Sequence, residues 1–167
     1  WHGSLLYPAL GGGRIMGKTT SQGVRALTEQ DLDWLLPVDA GSFPEAWSRE
    51  TWLDELNGRL SHYLLLLDET GSPVAYGGFW LVAGEAQIMR LAVDTGRRGE
   101  GWGNALVGAM LDRARELLAT EVTLEVREHN LPARKTYAHW GFSENGRRAG
   151  YYTDSGEDAI LMTCTLA

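Results

Sequence analysis

The sequence predicts a mixed α/β fold in one domain. Three observations carry this. The chain has 167 residues, the length of a single domain. Strand-length apolar runs alternate with segments of helical period. The resulting order, β-αα-βββ-α-β-α-ββ, interleaves the two rather than separating them.

The elements follow in order. Val24 to Leu27 is a short strand. Thr28 is the N-cap of a first helix with Asp31 at N3, a capping-box start, and Leu32, Leu35 and Leu36 share one face. Pro44 breaks the chain. Ser48 caps a second helix that runs to about Leu56 and closes at Asn57-Gly58. Tyr63 to Leu67 is an apolar strand, and Glu69 to Pro73 a turn. Val74 to Val82 and Ala86 to Val93 are long strands joined at Gly84-Glu85. A helix from Asn104 to about Leu118 buries Leu106, Met110, Leu111, Ala114, Leu117 and Leu118. Val122 to Arg127 is a strand. Asn130 caps a helix through about His139, with Pro132 in its first turn and Gly141 ending it. Phe142 to Tyr152 and Ala159 to Leu166 close the sheet as an antiparallel pair. Residues 1–22 lack any sustained period and are rich in Gly, Ser and Thr. They are expected to form a poorly ordered tail or a segment foreign to the native chain, ahead of a domain spanning residues 23–167. This segment contains a formal P-loop match, Gly12-x-x-x-x-Gly17-Lys18-Thr19. Its context fails, because Pro8 and three glycines spoil the preceding strand and Gly23 stops a following helix.

Composition narrows the function. Apolar residues are 44% of the chain, enough for a sizeable core. The net charge of −7 and the lack of a basic block argue against direct nucleic-acid binding, which needs a positive surface. An acidic groove for a cationic substrate stays open. Cys164 is the single cysteine, so no intrachain disulfide forms, which fits a reducing cytoplasm. Apolar runs are too short for a membrane span, and the N-terminus does not read as a signal peptide. His2, His62, His129 and His139 have no metal-ligand spacing, so no metal is expected.

The most telling stretch is Ile88 to Val107. An apolar strand runs into Arg98-Gly99-Glu100-Gly101-Trp102-Gly103, and a helix starts at once with Asn104. Glycine lets backbone approach a ligand closely, and the first-turn amides of a helix have no intrahelical acceptor. Strand, glycine bend and helix start together make an anion site suited to a phosphate or pyrophosphate.

In this context the bend matches the (Gln/Arg)-x-x-Gly-x-Gly/Ala pattern. Val93-Asp94 precedes it, Asn130 opens the next helix, Tyr137 sits one to two turns in, and Gly141-Phe142 follows. From about Val24 to Leu166 the chain resembles the GNAT acyltransferases. Within them it is most similar to the ribosomal-protein-alanine N-acetyltransferase (RimI-like) group. The matching segments are Ser42-Phe43-Pro44 with Trp47-Ser48, Leu124-Glu125-Val126-Arg127 before Asn130, Tyr151-Tyr152, and Glu157-Asp158-Ala159. Two departures stand out. Arg90 stands where many relatives carry Asn. Gly99-Glu100 stands where the family usually has basic residues, and Glu100 puts a carboxylate near a pyrophosphate, where it is expected to point to solvent.

The resemblance implies a central, mostly antiparallel sheet with helices on both faces. Its strands Ile88–Val93 and Val122–Arg127 are parallel and splay apart. Acetyl-CoA is the implied cofactor, with CoA as product. Its pyrophosphate would lie on the amides of Arg98, Gly99, Glu100, Gly101, Trp102, Gly103 and Asn104. Its pantetheine would lie along Leu91, Ala92 and Val93; Leu91 and Val93 are the candidates for free backbone groups, one of whose amides can polarise the thioester carbonyl. Asn130 would bind the pantetheine arm in addition to capping its helix, or serve as a cap alone.

Tyr137, at the family's acid position, would protonate the departing sulfur; otherwise its ring is core packing. Glu125 alternates with Leu124 and Val126, so it leaves the opposite sheet face as general base for an amine. The alternatives are a surface glutamate, or an ion pair with Arg127 on the same face. Phe43, Trp47, Tyr151 and Tyr152 would grip a peptide or pack as aromatic rim. Cys164 reads as a small core residue, and Trp102 as a cover for the cofactor or the helix face.

The implied activity is acetyl transfer to the N-terminal α-amine of a protein, with a ribosomal protein as one candidate. The implied enzyme is a cytoplasmic monomer or weak homodimer with no membrane partner. Two rivals remain: an acetyltransferase for a small-molecule amine or a lysine, and a non-catalytic acyl-CoA-binding module.

Overall fold

The computed structural model describes residues 23–166. The tail and its P-loop match lie outside these. The elements are β1 (Val24–Ala26), α1 (Leu32–Ser42), α2 (Arg49–Leu56), β2 (Ser61–Leu67), β3 (Pro73–Val82), β4 (Glu85–Val93), α3 (Trp102–Glu116), β5 (Glu121–Arg127), α4 (Leu131–His139), β6 (Ser143–Arg148) and β7 (Ala159–Thr165). Short 3-10 turns at Glu29–Asp31 and Thr95–Arg97 lead toward α1 and α3. The seven strands form one sheet in the order β1-β2-β3-β4-β5-β7-β6. Every pair is antiparallel except β4 and β5.

Two apolar clusters sandwich this sheet. One joins it to α3 and α4 through Leu106, Met110, Leu111, Ala133 and Tyr137. The other joins it to α1 and α2 through Leu32, Leu35, Trp52, Tyr63 and Tyr76. Full burial of one such aliphatic or aromatic side chain stabilises by about 1.5–3 kcal/mol. Gly78 in β3 makes the second cluster possible, since a Cβ there would sit 2.3 Å from the ring of Tyr63. The Tyr63 ring instead lies across β3 and meets Trp52 edge-on.

The sequence and the structure part in a few places. The expected capping box opens a 3-10 turn: Asp31 accepts from both the backbone and the hydroxyl of Thr28, and α1 begins one residue later. Leu36 is half-buried, while Val38 and Asp39 take the inward positions of α1. The β3–β4 hairpin turns at Ala83-Gly84, one residue earlier than expected, with both residues at positive φ as a two-residue turn requires. Leu118 is not in the buried stripe of α3. It is 81% exposed at φ +66, the left-handed position that ends a helix. The expected strand from Phe142 to Tyr152 stops at Arg148, so Tyr151 and Tyr152 belong to the loop before β7.

Candidate active site

The glycine bend is built as a cradle. Gly99 and Gly101 take φ of +84° and +93°, and Gly101 is the N-cap of α3. A side chain in that left-handed region costs roughly 1–2 kcal/mol. The first hydrogen bond of the helix runs from the Ala105 amide to the Gly101 carbonyl at 3.1 Å, so the Trp102 and Gly103 amides precede the intrahelical ladder. Arg98 does not reach outward. Its Nε donates to the Val93 carbonyl at 3.3 Å and its Nη2 to the Ser42 hydroxyl at 3.0 Å, pinning the bend to β4 and α1.

Glu100 is exposed and has two partners of its own. Its Oε1 accepts from Trp102 Nε1 at 2.9 Å and from Arg97 Nε at 3.0 Å. Those two bonds, the Trp102 bond first, keep its carboxyl below the usual range. Arg97 also donates to Asp68 at 2.9 Å. The indole of Trp102 is thereby fixed beside the bend.

β4 and β5 pair only from Glu85↔Glu121 to Gln87↔Thr123. The β3–β4 register then slips, with Gly78 opposite Arg90 and Phe79 opposite Ile88, so Met89 is the extra residue of a bulge. Beyond it the two strands no longer pair. A cavity of about 820 Å³ opens there, lined by Gln87 to Arg90 of β4, Glu125 and Arg127 of β5, the loop from Phe43 to Trp47, and the segment from Tyr151 to Asp154. Phe43, Trp47, Glu125, Tyr151 and Tyr152, five positions singled out from sequence, meet on this one wall. β5 alternates as expected, with Val122, Leu124 and Val126 buried against α3 and α4 and Glu125 and Arg127 on the other face.

Arg127 does not pair with Glu125. Its guanidinium makes two bonds to Asp154, at 2.9 and 3.0 Å, and stacks 4.1 Å above the Tyr152 ring. Glu125 instead accepts from Arg148 Nε at 2.7 Å. The Glu125 charge is the main reason that the Tyr151 phenol titrates above its ordinary value. Burial, then Glu125, pushes Tyr152 up to about 12.

Tyr137 lies on the α4 side of the sheet, in the core cluster with Phe142, whose ring meets it edge-on at 5.6 Å. It does not line the cavity. Burial, with a smaller contribution from Tyr152, raises its phenol well above the ordinary value. Asn130 caps α4, its Oδ1 accepting from the Ala133 amide at 3.3 Å. The side chain of Asn104 accepts from Trp140 Nε1 at 2.6 Å, tying α3 to the end of α4. Leu91, Ala92 and Val93 bury their side chains, leaving backbone as their contribution to the splay. Cys164 is buried beneath the same helix end, as a core residue. Among the described residues, no group of His, Cys, Asp and Glu is placed to hold a metal ion. No helix among them is long and apolar enough to cross a membrane.

Sequence reasoning missed Asp39. It is a fully buried carboxylate that receives Arg90 Nε and Nη2, both at 2.8 Å, the Tyr76 hydroxyl and the Trp47 amide at 3.1 Å. Burial alone would raise its carboxyl; the bonds from Arg90, Tyr76 and Trp47 outweigh burial and hold it below the usual range. The signal was present in two halves: an acid four residues after Leu35 on the inward face of α1, and an arginine inside an apolar strand. Only the pairing of the two explains either.

Residues 29–142 match the acetyltransferase (GNAT) family model. A Bacillus subtilis (strain 168) protein, named provisionally for alanine N-acetylation of ribosomal protein bS18, is 34% identical over 148 residues, covering 88% of this chain and 97% of its own. The [ribosomal protein bS18]-alanine N-acetyltransferase of Escherichia coli (strain K12) is 32% identical over 146 residues, covering 86% of this chain and 97% of its own. The crystal structure of the ribosomal-protein-S18-alanine N-acetyltransferase from Escherichia coli superposes with a TM-score of 0.78 at 28% identity, covering 86% of this chain and 93% of that one. Fold, splay, glycine cradle and relatives agree: the chain belongs to the acetyltransferase (GNAT) family and is an acyltransferase.

Proposed function

We propose that this protein transfers an acetyl group from acetyl-CoA to the N-terminal α-amine of a protein, with a ribosomal protein as the first candidate acceptor. The observation that carries this reading is the cavity shared by the two splayed strands, where Glu125 faces the aromatic grip of Phe43, Trp47, Tyr151 and Tyr152. The cradle fits the cofactor. Two left-handed glycines and the opening amides of α3 suit a pyrophosphate, and Glu100 is paired with Arg97. When bound, acetyl-CoA supplies an acetyl thioester.

The protein's own groups then divide the proton work. Glu125 accepts a proton from the acceptor amine, directly or through a water. An α-amine has a pKa near 8 against about 10.4 for lysine, so more of it is already unprotonated at neutral pH and less is asked of the base. Tyr137, kept protonated by burial, supplies the proton for the leaving sulfur. A backbone amide of Leu91 or Val93 orients and polarises the carbonyl. Asn130 adds a hydrogen bond to the pantetheine arm while capping α4.

Charge on the cavity wall favours a single amine over a polyamine. Of its three carboxylates, Glu125 and Asp154 are already matched by Arg148 and Arg127. A polycation needs carboxylates that are not so neutralised. The relatives, named for an alanine of ribosomal protein bS18, point the same way.

The test is the rate of free-thiol release from acetyl-CoA with three acceptors: an alanine-starting peptide, the same peptide with its α-amine blocked, and spermidine. Turnover with the first alone is expected. Faster turnover with spermidine, or equal turnover with the blocked peptide, overturns the reading.

A further inference from the structure

Arg90 lies at the point where donor strand and acceptor loop meet. It follows Met89, the bulge residue two positions past the last β4–β5 pair, Gln87↔Thr123. Its guanidinium is spread over four partners. Nε and Nη2 bond both oxygens of Asp39 at 2.8 Å, and Nη2 also donates to the Glu45 carbonyl at 3.3 Å. The Phe43 and Trp47 rings lie 4.0 and 4.3 Å from its central carbon. Asp39 in turn accepts the Trp47 amide, so the two charged groups grip the loop from Phe43 to Trp47 at both its side chains and its backbone. Asp39 is fully buried and the Arg90 side chain 9% exposed, which makes this a desolvated clamp rather than a surface pair.

A planar guanidinium is what this place requires. It can bond a carboxylate in two places, donate to a carbonyl and stack against two rings at once, which an ammonium cannot. The loop itself has no regular structure: α1 ends at Ser42, α2 begins at Arg49, and Pro44 lies between. Packing holds one side of it, where Trp47 meets Trp52 at 4.8 Å and Phe43 and Trp47 lie on the cluster under α1 and α2; the clamp holds the side toward β4.

We infer that Arg90, locked by Asp39, is a positioning residue for the acceptor: it fixes the loop from Phe43 to Trp47 against β4 and so sets the shape of the acceptor site. This rests on the acyltransferase reading given above. The phosphate cradle lies past the C-terminal end of β4 and has its own ties, Arg98 to Val93 and Ser42, so the clamp acts on the loop from Phe43 to Trp47 and not on the phosphate site.

The experiment compares the wild type with Arg90→Lys, Arg90→Met and the double variant Asp39→Asn/Arg90→Met, which removes both charges and leaves no lone buried ion. Steady-state kinetics with an alanine-starting peptide, CoA affinity and amide exchange over residues 43–47 are measured for each. Expected is a rise in peptide KM of about tenfold or more with kcat changed less than about threefold, the pattern of lost ground-state positioning. CoA affinity stays at the wild-type value, the Trp47 amide exchanges faster, and Arg90→Lys falls between wild type and Arg90→Met. Unchanged exchange over residues 43–47 in the folded double variant overturns the inference. So does an unchanged peptide KM with only the melting temperature lowered. The exchange readout needs no acceptor, so it decides the clamp even if the wild type turns over no peptide, a result that would sink the acceptor assignment alone.

Discussion

The Glu125 carboxylate accepts a 2.7 Å hydrogen bond from Arg148 Nε, reaching from β6 to β5 across the intervening strand β7. A base must be able to exchange this partner for the acceptor amine or its water. Glu125→Gln keeps the side-chain volume and removes the basicity. Turnover with peptide is expected to fall roughly 10²–10⁴-fold, the usual worth of a positioned base, with CoA affinity unchanged. Arg148→Met removes the partner and leaves the carboxylate. Its peptide turnover is expected to differ from that of the wild type with CoA affinity unchanged, and a Glu125→Gln variant as active as the wild type would detach Glu125 from the chemistry.

Tyr137 is a buried phenol whose titration lies well above the ordinary value. An acid must be protonated to act, so a raised value keeps it competent to higher pH. Turnover is expected to show no phenol-type decline up to about pH 10, where an ordinary tyrosine is half ionised. Tyr137→Phe is expected to cut turnover about 10²-fold or more while a calorimetric CoA titration gives the wild-type affinity. A variant as active as wild type would reduce the residue to core packing against the ring of Phe142.

Arg97 carries two carboxylates, Asp68 and Glu100, beside the cradle. Arg97→Ala leaves both negative charges next to the phosphate site. CoA is expected to bind roughly two- to fivefold more weakly, the scale of one charge near a helix N-terminus, and the loss should shrink at high salt. Adding Glu100→Gln to that variant is expected to recover part of the affinity. An affinity indifferent to both changes would show that Glu100 has no influence on the cofactor.

Gly101 stands at φ +93° as the N-cap of α3. Gly101→Ala forces a side chain into the left-handed region at about 1–2 kcal/mol and places a methyl group at the cradle. Loss of CoA binding greater than the loss of thermal stability is the expected outcome, read by titration and by melting temperature on the same sample.

Asp39 supplies a pH dependence of stability. Its folded carboxyl titrates below the unfolded value near 3.9, so the stability it lends is present above that value and lost as pH falls through the lower folded one. Asp39→Asn is expected to lower the melting temperature at neutral pH, because breaking a buried pair costs about 3–5 kcal/mol. The variant should also flatten the melting-temperature profile below pH 4. A variant that keeps the wild-type slope there would assign the acid sensitivity to other carboxylates, Asp31 with its Arg25 partner first.

Much of this was legible in the residues, for physical reasons. Alternation in Val122 to Arg127 decided which face Glu125 takes, because strand side chains have a period of two. Glycines at 99 and 101 marked backbone that other residues avoid. Long-range pairing was not legible. Asp39 and Arg90 are 51 residues apart, and each looks like an anomaly until α1 is laid on β4. Arg127 and Glu125 share a face, which left an ion pair between them as one alternative, yet the loop before β7 brings Asp154 to Arg127 and β6 brings Arg148 to Glu125. Leu118 fitted the apolar stripe of α3 by composition, and only the end of the helix put it in solvent.

The most direct test of the central claim is where the acetyl group goes. A peptide that begins with alanine and carries an internal lysine is incubated with the protein and acetyl-CoA, and fragmentation mass spectrometry locates the modification. The account predicts a single acetyl group on the α-nitrogen of the first residue. Acetylation of the lysine side chain, or an unmodified peptide in the presence of tightly bound CoA, would contradict it.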